Sequence, residues 1–129
     1  MAQTVAIPGR RVSSGETFYS DWSARGGDCV LLRVEVLVKV GSATISFDLE
    51  TRGEDGTSVI PMTPTSPTTG LDLTSAGVAS CLYLAKANTS DGNGALEEVR
   101  VKVACSTSSG AYFVVRIFPL IFFDSARDY

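Results

Sequence analysis

From Val30 to Val40 every second residue is apolar, Val30, Leu32, Val34, Val36, Val38 and Val40, while Arg33, Glu35 and Lys39 fall in the other register. A helix turns about 100° per residue and would scatter those charges around its circumference, whereas a strand sends alternate side chains to opposite faces. The run predicts one long strand with a dry, valine-rich face. A second alternation follows at once, Ala43, Ile45, Phe47 and Leu49 against Thr44, Ser46, Asp48 and Glu50, with Gly41-Ser42 between the two. Glycine first in a two-residue connection suits a type II′ turn, so residues 30–51 are expected to form a long β-hairpin.

A second hairpin is expected to close the chain. Val99, Val101, Val103 and Cys105 alternate with Glu98, Arg100, Lys102 and Ala104. A turn segment over 106–110 then leads to Phe113, Val115 and Ile117, and the strand is expected to continue towards Phe123. Shorter strands fit residues 5–7, 17–22, 58–62 and 78–85. Glycine, proline, serine and threonine make up a third of the chain, a composition of strands and turns, and no amphipathic segment exceeds two helical turns. About eight strands in 129 residues imply an all-β chain, a single antiparallel, jelly-roll-like β-sandwich. Its core is expected to hold Val34, Val36, Val38, Ile45, Phe47, Val101, Val103 and Val115. Within that single domain we expect an N-terminal arm over 1–15, the sandwich over 16–119 and a C-terminal tail over 120–129. Two loops, the proline-threonine stretch 61–70 and the glycine-rich stretch 86–94, are expected to be exposed connections.

Chemistry is scarce. The chain has no histidine, and Cys29, Cys81 and Cys105 lie too far apart for a zinc knuckle, so no metal or cofactor site is expected. Free thiols in a reducing compartment are the expectation for an odd number of cysteines without a secretory leader. The segment 91–94 opens like a calcium loop, but Ala95 and Lys102 stand where an EF-hand needs oxygen ligands. The hydroxyls of Ser13, Ser14 and the segment 106–110 have no base placed beside them by a motif, so no nucleophilic site is expected. The carboxylate pairs Glu54-Asp55, Glu97-Glu98 and Asp48 with Glu50 read as solvated charge, the last pair countered by Arg33 and Lys39 across the expected hairpin. Asn88-Thr89-Ser90 matches a glycosylation sequon, read as chance without a secretory leader. A net charge of −3 argues against a broad nucleic-acid-binding face, and no apolar run is long enough for a membrane span.

The termini are more distinctive. Arg10-Arg11 interrupts a neutral N-terminal stretch, and Phe118, Phe122 and Phe123 crowd into six positions near the other end. Around them both faces of the expected strand are apolar, which requires cover from a second layer or another molecule. Aromatic and arginine side chains dominate protein interfaces, so Arg10, Arg11, Phe122, Phe123 and Tyr129 are the candidate interface residues.

Three stretches carry a resemblance: Tyr-Ser-Asp-Trp-Ser-Ala-Arg-Gly at 19–26, Val-Gly-Ser-Ala-Thr-Ile-Ser-Phe-Asp-Leu-Glu-Thr at 40–51 followed by Glu-Asp-Gly at 54–56, and Val-Arg-Val-Lys-Val at 99–103. In this layout the chain resembles the small β-sandwich virion accessory proteins of tailed bacteriophages, over about two thirds of its length. The resemblance implies a non-enzymatic building block, a capsid decoration or head, neck or tail subunit. Such a subunit is made in the host cytoplasm, found in the virion and used in many copies, with other virion proteins and copies of itself as partners. It implies no nucleic-acid or membrane partner and carries over no catalytic residue. A carbohydrate-binding β-sandwich module is the alternative; it needs exposed aromatics on one face, and Trp22 is the sole tryptophan.

Overall fold

The computed structural model describes residues 7–27, 29–53, 59–84 and 97–123. Twelve strands run along the chain: β1 (Ile7–Ser13), β2 (Thr17–Tyr19), β3 (Ser23–Ala24), β4 (Cys29–Val40), β5 (Ile45–Arg52), β6 (Val59–Pro61), β7 (Pro64–Ser66), β8 (Leu71–Leu73), β9 (Gly77–Leu84), β10 (Glu98–Cys105), β11 (Tyr112–Ile117) and β12 (Ile121–Phe123). They form two six-stranded sheets, and every pairing is antiparallel. The front sheet runs β1-β11-β4-β9-β7, with β12 on β4; the back sheet runs β2-β10-β5-β6, with β3 on β10 and β8 on β5.

With β7 set aside, the other eleven strands occupy eight positions once β2 joins β3, β6 joins β8 and β11 joins β12. The first position then pairs with the eighth, the second with the seventh, the third with the sixth and the fourth with the fifth. That is the winding of a jelly roll, two Greek keys closed into a sandwich. The all-β sandwich is thus the observed fold, with β7 added beside β9.

The two expected hairpins are not hairpins. β4 pairs with β11, β12 and β9 in the front sheet, whereas β5 pairs with β10, β6 and β8 in the back sheet. The connection 41–44 is therefore an arch that carries the chain from one sheet to the other, and 106–111 is a second arch between β10 and β11. Gly41 turns the corner at a φ of +89°, and a side chain there would meet the Ala111 Cβ at 2.7 Å, so the two arches pack directly on each other. Ala43, buried between the sheets, anchors the first arch. An alternating strand followed by another buries the same valines in a hairpin or in an arch; only in the arch do the two apolar rows face each other.

Between the sheets lie Val30, Leu32, Val34 and Val36 of β4, Phe113, Val115 and Ile117 of β11, Ile45, Phe47 and Leu49 of β5, and Val99, Val101 and Val103 of β10, all fully buried. Val38 does not join them. Val114 pairs with Val38 but Val115 pairs with Val36, so Leu37 is an extra residue and β4 carries a bulge there. Directly paired residues share a face. Beyond the bulge Val38 and Val40 therefore lie with Val114 and Tyr112 on the outer face, and Val38 is 41 % exposed where Val36 is 1 %.

The expected domain limits do not coincide with the edges of the sandwich. β1 lies inside the segment expected as an arm, pairs along β11 and buries Val12. Leu120 is buried and β12 pairs with β4, so 120–123 belong to the sandwich and not to a tail. The proline-threonine stretch is not only an exposed connection: Met62 is buried, and β7 and then β8 follow within a few residues.

Candidate protein-docking surface

The outer faces of the two sheets differ sharply. On the back sheet, alternation sends Asp48, Glu50 and Arg52 of β5 and Glu98, Arg100 and Lys102 of β10 outward. The antiparallel register sets Glu98 opposite Arg52, Arg100 opposite Glu50 and Lys102 opposite Asp48. The Arg52 Nε lies 2.7 Å from Glu98 Oε1, and an Arg100 Nη lies 2.8 Å from Glu50 Oε1. Trp22 packs on this ladder, with the Arg52 and Arg100 guanidinium carbons 4.4 and 4.5 Å from its ring centroid, and Arg100 is also 4.1 Å from Tyr19. The acids on β5 are thus countered from β10 and not from Arg33 or Lys39, which lie in the other sheet. Asp48 is held above its ordinary pKa by burial and then by Asp72, a neighbour on β8. The aromatic platform expected of a carbohydrate module is engaged by guanidinium groups.

The outer face of the front sheet is apolar. Eight large hydrophobic side chains are exposed among the described residues, and six of them, Leu37, Val38, Val40, Val78, Ile121 and Phe123, lie on this face. Val78 is 53 % and Ile121 50 % exposed. Half-buried Leu31, Leu82, Val114 and Tyr112 fill the spaces between them. Across the middle runs one polar band, in which Arg33 and Arg116 place their guanidinium carbons 4.9 and 4.5 Å from the Phe118 ring, while Glu35 is 3.7 Å from Arg116. Arg11 stacks 4.0 Å from Tyr112 on the same face. Arginine and aromatic side chains held against each other at the centre of an apolar surface are the composition of an interface hot spot.

The structure separates the residues expected at the interface. Phe123, on the outer face, is 40 % exposed, whereas Phe122 points the other way and packs against the core beside Gly26. Arg11 joins the front face, but Arg10 belongs to the opposite register of β1. Its guanidinium meets Glu16 at 3.0 Å and lies 3.8 Å from the Phe18 ring. Glu16 in turn accepts the Ser13 N–H at 2.9 Å, and that bond, with Arg10, holds its carboxyl below the usual range. Tyr129 lies outside the described residues, as do Glu54-Asp55, the sequon at 88–90 and the glycine-rich segment 91–94. Exposed Leu37, Val38 and Val78 were missed by sequence reasoning: unbroken alternation assigns Val38 to the core, and the bulge leaves no signature in residue type.

The interior offers little for chemistry. Cys29, Cys81 and Cys105 are free and buried, and burial pushes the Cys81 and Cys105 thiols up. Cys81 donates to the Pro67 carbonyl oxygen at 3.5 Å. The fully buried Tyr83 hydroxyl beside it makes no hydrogen bond of ordinary geometry and is pushed far up by burial. Among the described residues no group of three or more cysteine, aspartate and glutamate side chains is placed to hold a metal ion, and no helix is long and apolar enough to cross a membrane. The chain matches no protein-family model, no curated protein sequence and no solved structure.

Proposed function

We propose that the chain is a non-enzymatic structural subunit of a phage-type particle, a decoration or head, neck or tail accessory protein, and that it works by docking through the outer face of its front sheet. The observation that carries this reading is the one-sided distribution of exposed apolar side chains: six of eight lie on one face, while the other face is an ion-pair ladder. A monomer that works alone has no use for a whole sheet face of valine, leucine, isoleucine and phenylalanine in water. Jelly-roll sandwiches serve as viral capsid domains as well as lectins, so the fold accommodates the proposal without assigning it. The sequence resemblance points the same way. Two of the five interface residues expected from sequence, Arg11 and Phe123, belong to this face, and the docking role passes from the terminal segments to the sheet itself. Quantitative mass spectrometry of purified particles tests the proposal: the chain is expected in a fixed ratio of many copies per particle, and its absence from intact particles contradicts it.

A further inference from the structure

Among the described residues the front face carries three arginines, Arg11, Arg33 and Arg116, against the single carboxylate of Glu35. Among the described residues, Arg11 and Arg33 form no ion pair; each stacks on an aromatic ring. The back face has the opposite excess, with Asp48, Glu50, Asp72 and Glu98 against Arg52, Arg100 and Lys102. There Glu50 and Glu98 engage Arg100 and Arg52, which leaves Asp48 and Asp72 close together; Asp72 accepts the Ser46 hydroxyl at 2.7 Å, and among the described residues Lys102 is the cation that acts on Asp48. Each face thus holds an uncompensated charge of opposite sign, and the two faces are opposite sides of one sandwich. The two exposed large hydrophobics absent from the front face, Tyr19 and Val59, lie on the back.

We infer that copies of this chain dock head to tail, the apolar, arginine-bearing front face of one copy covering the back face of the next so that Arg33 and Arg116 meet Asp48 and Asp72. The inference rests on the docking role proposed above and names a second copy as the occupant of the front face. A two-fold pairing of front faces is disfavoured by the charges, because it sets three arginines against three with two glutamates between them. In the head-to-tail arrangement two of the three arginines face carboxylates, and the aliphatic patches at both ends of the front sheet are covered at the same time. Two faces on opposite sides of a sandwich generate a line of copies and not a closed pair.

Sedimentation velocity of the full chain at low salt tests this. The wild-type protein is expected to show species that grow beyond a dimer as concentration rises. Arg33→Glu on the front face and Asp72→Lys on the back face are each expected to weaken association about tenfold or more, with an unchanged sheet spectrum. The deciding sample is the mixture. Each variant retains one intact face, so the two together are expected to form a 1:1 dimer that does not grow while Asp72→Lys alone stays dissociated; under front-to-front pairing Asp72→Lys alone would associate like wild type. Arg33→Lys, which keeps the charge, is expected to retain most of the association. Three results overturn the inference: a wild-type chain that stays monomeric at every concentration, assembly insensitive to Asp72→Lys, or a mixture that gains nothing over either variant. A chain that is monomeric in solution yet present in many copies in particles refutes head-to-tail docking while leaving the proposed function intact; absence from particles refutes the latter.

Discussion

Val36 and Val38 are two residues apart on one strand, identical in type and assigned to the same face by the alternation, yet the bulge at Leu37 separates them. Aspartate at each position therefore measures the bulge directly. Val36 is 1 % exposed and packed between the sheets. Val36→Asp removes about 1.5–3 kcal/mol of apolar burial and places a carboxylate where no partner can reach it, adding several kcal/mol more. Against a total of roughly 5–15 kcal/mol that is enough to unfold the domain or bring it close to unfolding. Val38→Asp puts the same group on a solvated outer face and is expected to stay within about 0.5 kcal/mol of wild type. Urea denaturation followed by far-ultraviolet circular dichroism separates the two. Equal, severe destabilisation by both substitutions refutes the bulge and returns Val38 to the core; tolerance of both refutes the buried face of β4.

Further perturbations probe the arches, the charges and the chain end. Gly41→Ala forces an alanine into a left-handed conformation and its Cβ to within 2.7 Å of Ala111, so thermal melts are expected to show a loss well above the roughly 1–2 kcal/mol for the conformation alone. Gly110→Ala, at φ +73° with open space around it, is expected to cost no more than that. Asp48 has a raised folded-state pKa, so its ionisation opposes folding above that value and the penalty fades as pH falls towards the ordinary carboxylate range. Asp48→Asn is therefore expected to raise the melting temperature at pH 7 and to lose that advantage by about pH 3. Glu16 has the opposite sign: its lowered pKa contributes stability above its ordinary value that is lost as pH falls through the folded one, and Glu16→Gln is expected to flatten that part of the acid limb. Deleting residues 120–129 is expected to destabilise the sandwich, because Leu120 is buried and β12 pairs with β4; an unchanged urea midpoint would show that β12 is dispensable.

The alternation at Val30–Val36, Ile45–Leu49, Val99–Val103 and Phe113–Ile117 was fully legible, because the inward side chains of these strands are all buried in the core between the sheets. Partner choice was not. A strand's apolar row is the same whether the next strand pairs beside it or crosses to the facing sheet, so residues 41–44 read as a hairpin turn although they form an arch. The candidate surface was legible only at Arg11 and Phe123. Phe122 and Phe123 are equivalent as residue types, and their opposite orientations follow from the pairing of β12 with β4, a contact about 90 residues away in sequence. Val38 owes its exposure to the bulge and Val78 its outward orientation to the pairing of β9 with β4, neither of which has a compositional mark.

If the outer face of the front sheet is where this protein docks, a folded front-face variant fails to enter particles. Val38→Asp combined with Val78→Asp places two carboxylates in the exposed apolar surface without touching the core, and Ser109→Ala in the second arch serves as the control. Each protein is first shown to keep the wild-type sheet spectrum and urea midpoint, and its copy number in purified particles is then measured against wild type. The double variant is expected to be lost from particles at least tenfold while the control is retained. Incorporation of the folded double variant at the wild-type copy number would contradict it.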